Sequence, residues 1–249
     1  MFDLAGRRAL VTGAGQGVGL GIARALACQG AAVAVNDVLS ERAEAAVEEL
    51  RNGGANAIAA AFDVTDYPAV QQGMQDAEAA LGGPIDVLVN NAGVPLEMSM
   101  GPFHASEPEE WARQIDLNTY GVLHCCRSLI NGMVERGHGR IITISSGAGT
   151  VGLRVGVSAY AAGKGGAISF MRHLALESAR AGVTANTIAI GLMDNDTGGD
   201  STAQIRRSMP VGRLGTPADI GALAVYLASD EASWMTGQTI QLNGGNVTT

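Results

Sequence analysis

The sequence predicts an α/β fold in which helices cover both faces of a parallel β-sheet. Short apolar runs alternate along the chain with longer amphipathic stretches, which is the pattern of repeated strand–helix–strand units. The apolar runs are continuous, as expected for strands that are buried on both sides. No low-complexity linker or internal repeat interrupts the 249 residues, so we expect a single domain over residues 1–249.

Seven strands and six helices follow from this pattern. The strands are predicted at residues 8–12, 32–36, 57–62, 85–90, 140–145, 183–188 and 238–242. The helices are predicted at residues 17–29, 40–52, 67–81, 107–135, 158–181 and 217–228. Residues 191–215 are the least regular stretch, and a loop of this length indicates a segment that binds or covers a substrate.

Composition argues against several classes of protein. The chain has 24 acidic and 16 basic residues, a net charge of -8, which disfavours nucleic acid and anionic membranes as partners. Its three cysteines are an odd number, which indicates a reducing compartment. Neither a secretory signal nor a membrane-spanning run is visible, so we expect a cytoplasmic protein. We expect no metal site, because four histidines lack the spacing of metal ligands: His104, His124, His138 and His173.

A glycine-rich segment follows the first strand and opens the first helix. Its pattern is T-G-x-x-x-G-x-G, and the residues expected to contact a dinucleotide are Gly13, Gln16, Gly17, Val18 and Gly19. Glycines let the backbone approach a pyrophosphate, and the helix N-terminus offers free N–H groups.

Asp37 ends the second strand, 20 residues after Gly17. A carboxylate at this position accepts hydrogen bonds from the adenosine ribose and repels a 2′-phosphate. Because Gln16 in the glycine loop is not basic either, we expect NAD rather than NADP.

Polar residues also end the third and fourth strands, where ligands bind in an open parallel sheet. Asp63 and Val64 follow the third strand, and Asp63 is expected to receive the adenine amino group. Asn90, Ala92 and Gly93 belong to an Asn-Asn-Ala-Gly segment that ends the fourth strand. Asparagine there is expected to hold the sheet edge, and turn formation is the alternative role.

Tyr160 and Lys164 are four residues apart on a predicted helix and therefore share one face. A neighbouring ammonium stabilises a phenolate, so we expect the pKa of Tyr160 to lie below its ordinary value of about 10. Such a pair donates and accepts protons near neutral pH. Ser146 closes the fifth strand 14 residues before Tyr160, and Asn118 lies in the preceding long helix. Taken alone, a Tyr-x-x-x-Lys pair is common and by default belongs to a solvated helix surface.

Together these motifs resemble those of the classical short-chain dehydrogenase/reductase family, in its order and at compatible separations. The resemblance covers essentially the whole chain. It implies a Rossmann-like doubly wound domain with a seven-stranded sheet, and nicotinamide-dependent interconversion of an alcohol and a carbonyl compound. It also implies a homotetramer in which the two long helices pack against their symmetry mates.

The resemblance also implies a role for each candidate catalytic residue. Tyr160 is the general acid and base at the substrate oxygen, and Lys164 binds the nicotinamide ribose and lowers the pKa of the tyrosine. Ser146 hydrogen-bonds the substrate oxygen, with Ser145 as the adjacent alternative. Asn118 binds a water molecule in a proton relay through Lys164.

One departure from the family pattern follows the sixth strand, where Ile190-Gly191 replaces the usual Pro-Gly. The resemblance places the backbone of Met193 against the nicotinamide carboxamide and puts Asn195 where a threonine is usual. Because isoleucine leaves φ unrestricted at position 190, we expect the substrate loop to start in an altered direction.

We expect an NAD-dependent oxidoreductase that interconverts a small secondary alcohol and its ketone, such as a hydroxysteroid, a cyclic alcohol or a 3-hydroxyacyl thioester. One alternative is a 3-oxoacyl-carrier-protein reductase, which usually takes NADPH and docks an acidic carrier on a basic surface. Asp37 and the net charge of -8 count against it. A dinucleotide-sensing protein without catalysis is a further alternative, and the joint presence of Asn118, Ser146, Tyr160 and Lys164 counts against that.

Overall fold

The computed structural model describes residues 1–94, 100–194, 204 and 206–248. Within these residues, seven strands form one parallel sheet. They are β1 (Arg8–Val11), β2 (Ala32–Asp37), β3 (Ala57–Ala61), β4 (Val87–Asn90), β5 (Gly139–Ser146), β6 (Val183–Ile190) and β7 (Thr239–Leu242). Their order across the sheet is β3-β2-β1-β4-β5-β6-β7, which confirms the predicted Rossmann-like α/β fold.

The long connections between the strands carry the helices. These are α1 (Gly17–Cys28), α2 (Ser40–Asn52), α3 (Tyr67–Ala80), α4 (Pro108–Ile115), α5 (Gly121–Arg136), α6 (Ser158–Ser178) and α7 (Pro217–Ala228). No helix in the described part of the chain combines the length and the apolar character needed to cross a bilayer.

The strand order reverses direction between β1 and β4, which pair with each other in the middle of the sheet. Chain segments therefore leave the carboxyl ends of these two strands toward opposite sides. A crevice forms where they separate, and this crevice is where ligands bind in open α/β sheets.

Two apolar cores lie on the two faces of the sheet. One contains buried residues of α1, α2 and α7, and the other contains buried residues of α3, α5 and α6. On the first face α1 and α7 approach closely because Gly21 has no side chain, and a Cβ there would collide with Pro217. Both cores exclude water from the faces of the sheet. The polar residues at the strand ends are therefore the candidates for a reactive site.

The long helix predicted at 107–135 is interrupted. α4 and α5 are separated by one wide π-turn, Asp116–Tyr120, and α5 continues to Arg136, where Gly137 adopts a left-handed φ of 70° and ends it. A π-turn adds a single residue to one helical turn, and an insertion this short is hard to recognise from hydrophobic periodicity.

Other elements differ from prediction by only a few residues. β4 starts at Val87 instead of residue 85 because the backbone of Ile85 pairs with side chains: its N–H donates to Glu78, and its carbonyl accepts from Arg136. β6 extends two residues further than predicted, to Ile190, whose neighbours in the sheet are Ser146 and Leu242.

Candidate active site

The glycine-rich segment forms a tight loop whose shape depends on close backbone contacts. Gly13 has a φ of 58°, and a Cβ there would lie 2.9 Å from the Cα of Ala92. Gly17 has a φ of 57° and begins α1, which has Gln16 as its N-cap residue and no side-chain cap. The first N–H groups of α1 therefore remain available to an anion, and the loop fits a dinucleotide pyrophosphate.

Two residues that sequence reasoning did not assign hold this loop in place. The hydroxyl of Thr12 accepts hydrogen bonds from the backbone N–H groups of Asn91 and Ala92, at 3.0 and 3.1 Å. The Asn91 side chain donates to the carbonyls of Thr12 and Gly13, both at 2.9 Å. The sequence does contain a signal for both residues. Thr12 directly follows β1, Asn91 directly follows β4, and these two strands pair with each other.

Asp37 lies at the end of β2 with only 5% of its surface exposed. One carboxylate oxygen accepts from the N–H of Gly15 at 3.2 Å, and the other accepts from the N–H of Leu39 at 3.1 Å. Each oxygen retains a free lone pair, so the group can still accept from a ribose hydroxyl. Arg42 was not expected here, yet its Cβ would lie 2.6 Å from a Cβ placed on Gly15.

Asp63 and Val64 shape the next strand end. Asp63 accepts hydrogen bonds from the N–H and the hydroxyl of Thr65, both at 2.8 Å. The carbonyl of Val64 lies 3.0 Å from Nδ1 of His124 on α5, which therefore acts as the donor. These contacts fix the backbone at the position predicted for adenine.

The side chain of Asn90 contacts buried residues beside the sheet rather than the cleft. Its side chain is buried and donates to the hydroxyl of Thr143 at 3.2 Å and to the Cys126 sulfur at 3.5 Å. This placement supports the predicted role at the sheet edge and argues against a direct side-chain contact with a cofactor.

Tyr160, Lys164 and Ser146 come together beside the ends of β4 and β5. Nζ of Lys164 lies 5.8 Å from the centroid of the Tyr160 ring and donates to the carbonyl of Ile144 at 2.8 Å. The Ser146 side chain lies close enough to Tyr160 to favour its ionised form and so to lower its pKa. Ser145 instead donates to the backbone carbonyl of Lys164 at 3.3 Å and is buried. Ser146 is therefore the serine that faces the tyrosine.

Burial dominates the acid–base properties of this pair. It raises the pKa of Tyr160, and the Ser146 side chain only partly opposes that effect. It lowers the pKa of Lys164 to about 8. The expectation that the pKa of Tyr160 lies below its ordinary value is thus wrong for the chain alone, because burial disfavours the phenolate more than Ser146 favours it.

Asn118 lies in the π-turn between α4 and α5 and is completely buried. Its Nδ2 donates to the backbone carbonyl of Gln114 at 2.9 Å. Among the described residues, its Oδ1 has no hydrogen-bond partner. A Cβ placed on Gly93 would lie 2.9 Å from this oxygen and would collide with Nζ of Lys164. Gly93 therefore leaves room for Asn118 and Lys164 to flank the same point.

Two of the expected residues lie at the start of the substrate loop. Met193 forms an isolated parallel bridge with Gly215, which fixes its backbone. Gly191 directly follows β6 and packs against Asn243, the residue after β7. A Cβ on Gly191 would lie 2.7 Å from the Cα of Asn243. Asn195 lies outside the described residues.

A cavity of about 310 Å³ adjoins Tyr160. Its wall includes the aromatic side chains of Phe103 and Trp111 and the polar residues Gln114 and Ser158. A cavity that combines aromatic surface with a few polar groups suits a small organic molecule.

The family model described as short chain dehydrogenase matches residues 7–206 of the chain. This range contains both the dinucleotide cradle and the Tyr–Lys–Ser–Asn cluster. The chain belongs to this family. It is accordingly an oxidoreductase that acts on CH–OH groups with a nicotinamide dinucleotide.

Curated relatives match along almost their entire length. The chain is 37% identical to the 3-oxoacyl-[acyl-carrier-protein] reductase FabG of Escherichia coli, over 98% of each chain. It is 38% identical to the acetoacetyl-CoA reductase of Rhizobium meliloti, over 96% of this chain and 98% of that one.

Solved structures of family members superpose closely on this one. A 3-oxoacyl-[acyl-carrier protein] reductase from Brucella melitensis with bound NAD matches with a TM-score of 0.92 and 33% identity, over 100% of this chain and 94% of that one. A gluconate 5-dehydrogenase from Burkholderia cenocepacia, in complex with NADP and tartrate, matches with a TM-score of 0.90 and 34% identity, over 98% and 96%.

Proposed function

We propose that this short-chain dehydrogenase is an NAD-dependent enzyme that interconverts a secondary alcohol and its ketone. The observation that carries the proposal is the convergence of Tyr160, Ser146, Lys164 and Asn118 beside the glycine cradle. The substrate class that we favour is a moderately apolar hydroxysteroid, cyclic alcohol or 3-hydroxyacyl compound, because the adjoining cavity is partly aromatic.

In the oxidation direction, the phenolate oxygen of ionised Tyr160 takes the proton of the substrate hydroxyl. Ser146 hydrogen-bonds the same substrate oxygen and holds it against Tyr160. The nicotinamide ring supplies the hydride acceptor, or the hydride donor for reduction. In the reduction direction Tyr160 returns the proton to the carbonyl oxygen.

Lys164 has two functions in this proposal. Its ammonium stabilises the phenolate of Tyr160, and it hydrogen-bonds the ribose next to the reacting ring. The bond to the carbonyl of Ile144 orients the side chain without neutralising its charge. Asn118 offers its buried Oδ1 as an acceptor for a water molecule, and that water passes the proton on from Lys164.

The preference for NAD depends on the charge around the adenosine ribose. Asp37 is buried and close to the glycine loop, so a 2′-phosphate would meet a carboxylate. Arg42 is the opposing feature, because its side chain starts beside Gly15 and carries a positive charge that would attract the same phosphate. We favour NAD because two backbone N–H groups hold the Asp37 carboxylate in place. Arg42, in contrast, is a partly exposed residue of α2.

Reduction of a 3-oxoacyl thioester is the second candidate, and the high identity to 3-oxoacyl-[acyl-carrier-protein] reductases favours it. An acidic carrier protein needs a basic docking surface, and the net charge of -8 disfavours one. Acyl thioesters of free coenzyme A do not require a carrier-protein docking surface, so they belong among the substrates to be tested.

We also propose one cytoplasmic cofactor-binding domain that assembles as a homotetramer. The resemblance places the two long helices at the subunit interface. Their apolar content adds no support for that interface, because Val122, Cys125, Leu129, Ile168 and Leu174 are buried inside the protomer. The remaining support is exposed apolar surface, since Trp234 is 99% exposed and Leu176 is 79% exposed.

The test of the proposed function is a screen of secondary alcohols with NAD and with NADP, followed by absorbance of the reduced cofactor. The same screen includes reduction of 3-oxoacyl thioesters of coenzyme A. Turnover of alcohols with higher kcat/KM for NAD supports the first candidate. Turnover of thioesters alone, with NADPH, supports the second.

A further inference from the structure

Gln114 lies one helical turn before Asn118 and is 8% exposed. Nδ2 of Asn118 donates both to the backbone carbonyl of Gln114, at 2.9 Å, and to Oε1 of its side chain, at 3.3 Å. Both acceptors belong to Gln114, and together they fix which side of the Asn118 amide carries the NH2 group. Oδ1 of Asn118 consequently points the other way.

The direction in which Oδ1 points matters for Lys164. Oδ1 of Asn118 and Nζ of Lys164 both lie against the Cα of Gly93 on the side where a Cβ would project. An acceptor there suits an ammonium, directly or through water. A rotated Asn118 amide would present its NH2 group to the same ammonium, which is electrostatically unfavourable.

Close packing of α6 restricts the side chain of Asn118 in this position. α6 packs over the turn at Gly163, where a Cβ would lie 2.8 Å from the backbone oxygen of Gln114 and 2.9 Å from Cβ of Asn118. Gln114 also lines the cavity together with Tyr160. Several titratable groups surround this turn: Tyr160 and Lys164 on α6, Glu110 on α4, and the exposed Asp116 and Tyr120 of the turn itself.

We propose that Gln114 is a positioning residue for catalysis: its side-chain oxygen holds the Asn118 amide so that Oδ1 faces Lys164. This inference rests on the proposed function, because the arrangement matters only if Lys164 and Tyr160 exchange protons with a substrate. Gln114 itself moves no proton and acts through Asn118.

The first test compares Gln114→Met with Gln114→Glu. Methionine has a similar length but offers no strong acceptor, so kcat should fall about ten-fold or more, as expected when a catalytic group is misplaced. The pH profile of kcat should also shift, while NAD affinity, measured by fluorescence, stays within about two-fold. Glutamate keeps an acceptor oxygen and should restore kcat to within about three-fold of the wild type. Gln72→Met, on the exposed face of α3, is the matched control and should change neither quantity.

The second test places the same changes in an Asn118→Ala background. If Gln114 acts through Asn118, the loss of kcat caused by Gln114→Met should nearly vanish there. A direct contact between Gln114 and the substrate would instead give the same loss in both backgrounds and overturn the inference. Urea unfolding of the cofactor-free variants gives a readout without turnover: the two substitutions should be clearly non-additive, and additive effects would show that the side chains do not hold each other.

The outcomes separate this inference from the proposed function. A wild-type protein without turnover on any alcohol, ketone or thioester refutes the proposed function. A normally active wild type whose Gln114→Met variant keeps its kcat and pH profile refutes only the role of Gln114. Should Gln114→Met not fold, a ten-fold loss of kcat in a stably folded Gln114→Glu variant would refute it as well.

Discussion

Replacing Gly93 with alanine should disable catalysis while leaving the fold intact. The added Cβ would overlap Nζ of Lys164 and lie only 2.9 Å from Oδ1 of Asn118. Non-bonded contacts to carbon are comfortable at about 3.5–4.0 Å, so the end of the lysine side chain must move by about 1 Å. A misplacement of this size costs about 100-fold in rate, which corresponds to about 2.7 kcal/mol of activation free energy.

The assay is kcat/KM for an alcohol found in the substrate screen, with NAD affinity and thermal unfolding measured on the same preparation. Gly53→Ala is the matched control, because Gly53 is exposed at the end of α2 and a Cβ there meets only backbone oxygens, the nearest 3.3 Å away. A folded Gly93→Ala protein with kcat/KM within about three-fold of the wild type would refute the reasoning, because the crowding would then be harmless.

Four further outcomes are expected. Tyr160→Phe should lower turnover by about 10²–10⁴-fold and leave NAD affinity unchanged, and near-normal turnover would assign the proton transfer to another group. Asp37→Ala should raise the ratio of kcat/KM for NADP to that for NAD, and an unchanged ratio would show that Asp37 does not select the cofactor. Hydrogen bonds from Arg213 and the backbone of Thr216 hold the pKa of the Asp219 carboxyl well below its ordinary value, so its stabilisation of the α7 N-terminus is present above about pH 4 and is lost as the pH falls further. Asp219→Asn should therefore cost about 1 kcal/mol of unfolding free energy at neutral pH, with a smaller difference in acid. Light scattering should give a multiple of the 25.4 kDa chain mass, and the mass of one chain at micromolar concentration would exclude an oligomer.

The strands and most helices were predictable because their signal is local. Continuous apolar runs marked the buried strands, and the prediction for α7 matches its observed bounds at Pro217–Ala228. Proline at the first turn and the capping box formed by Thr216 and Asp219 make that start visible in the sequence.

The details of the site depend on distant contacts and were less predictable. Spacing alone left Ser145 and Ser146 as alternatives, because adjacent strand residues point to opposite faces and the pattern does not say which face meets the site. The raised pKa of Tyr160 results from burial by the whole fold, which the separation from Lys164 does not report. The π-turn at Asn118 likewise reflects packing against α6 at Gly163.

The hydrogen bonds between Asn91 and the glycine loop connect residues that are 78 and 79 positions apart. During synthesis, the ribosome therefore releases the glycine loop long before it releases the side chain that fastens it. The nascent chain must also emerge far enough for β4 to pair with β1, since that pairing brings Asn91 to the loop. The glycine loop can therefore bind a nucleotide in its final form only after more than a third of the chain has been made. A fragment from an earlier stop in translation lacks the residue that fastens the loop.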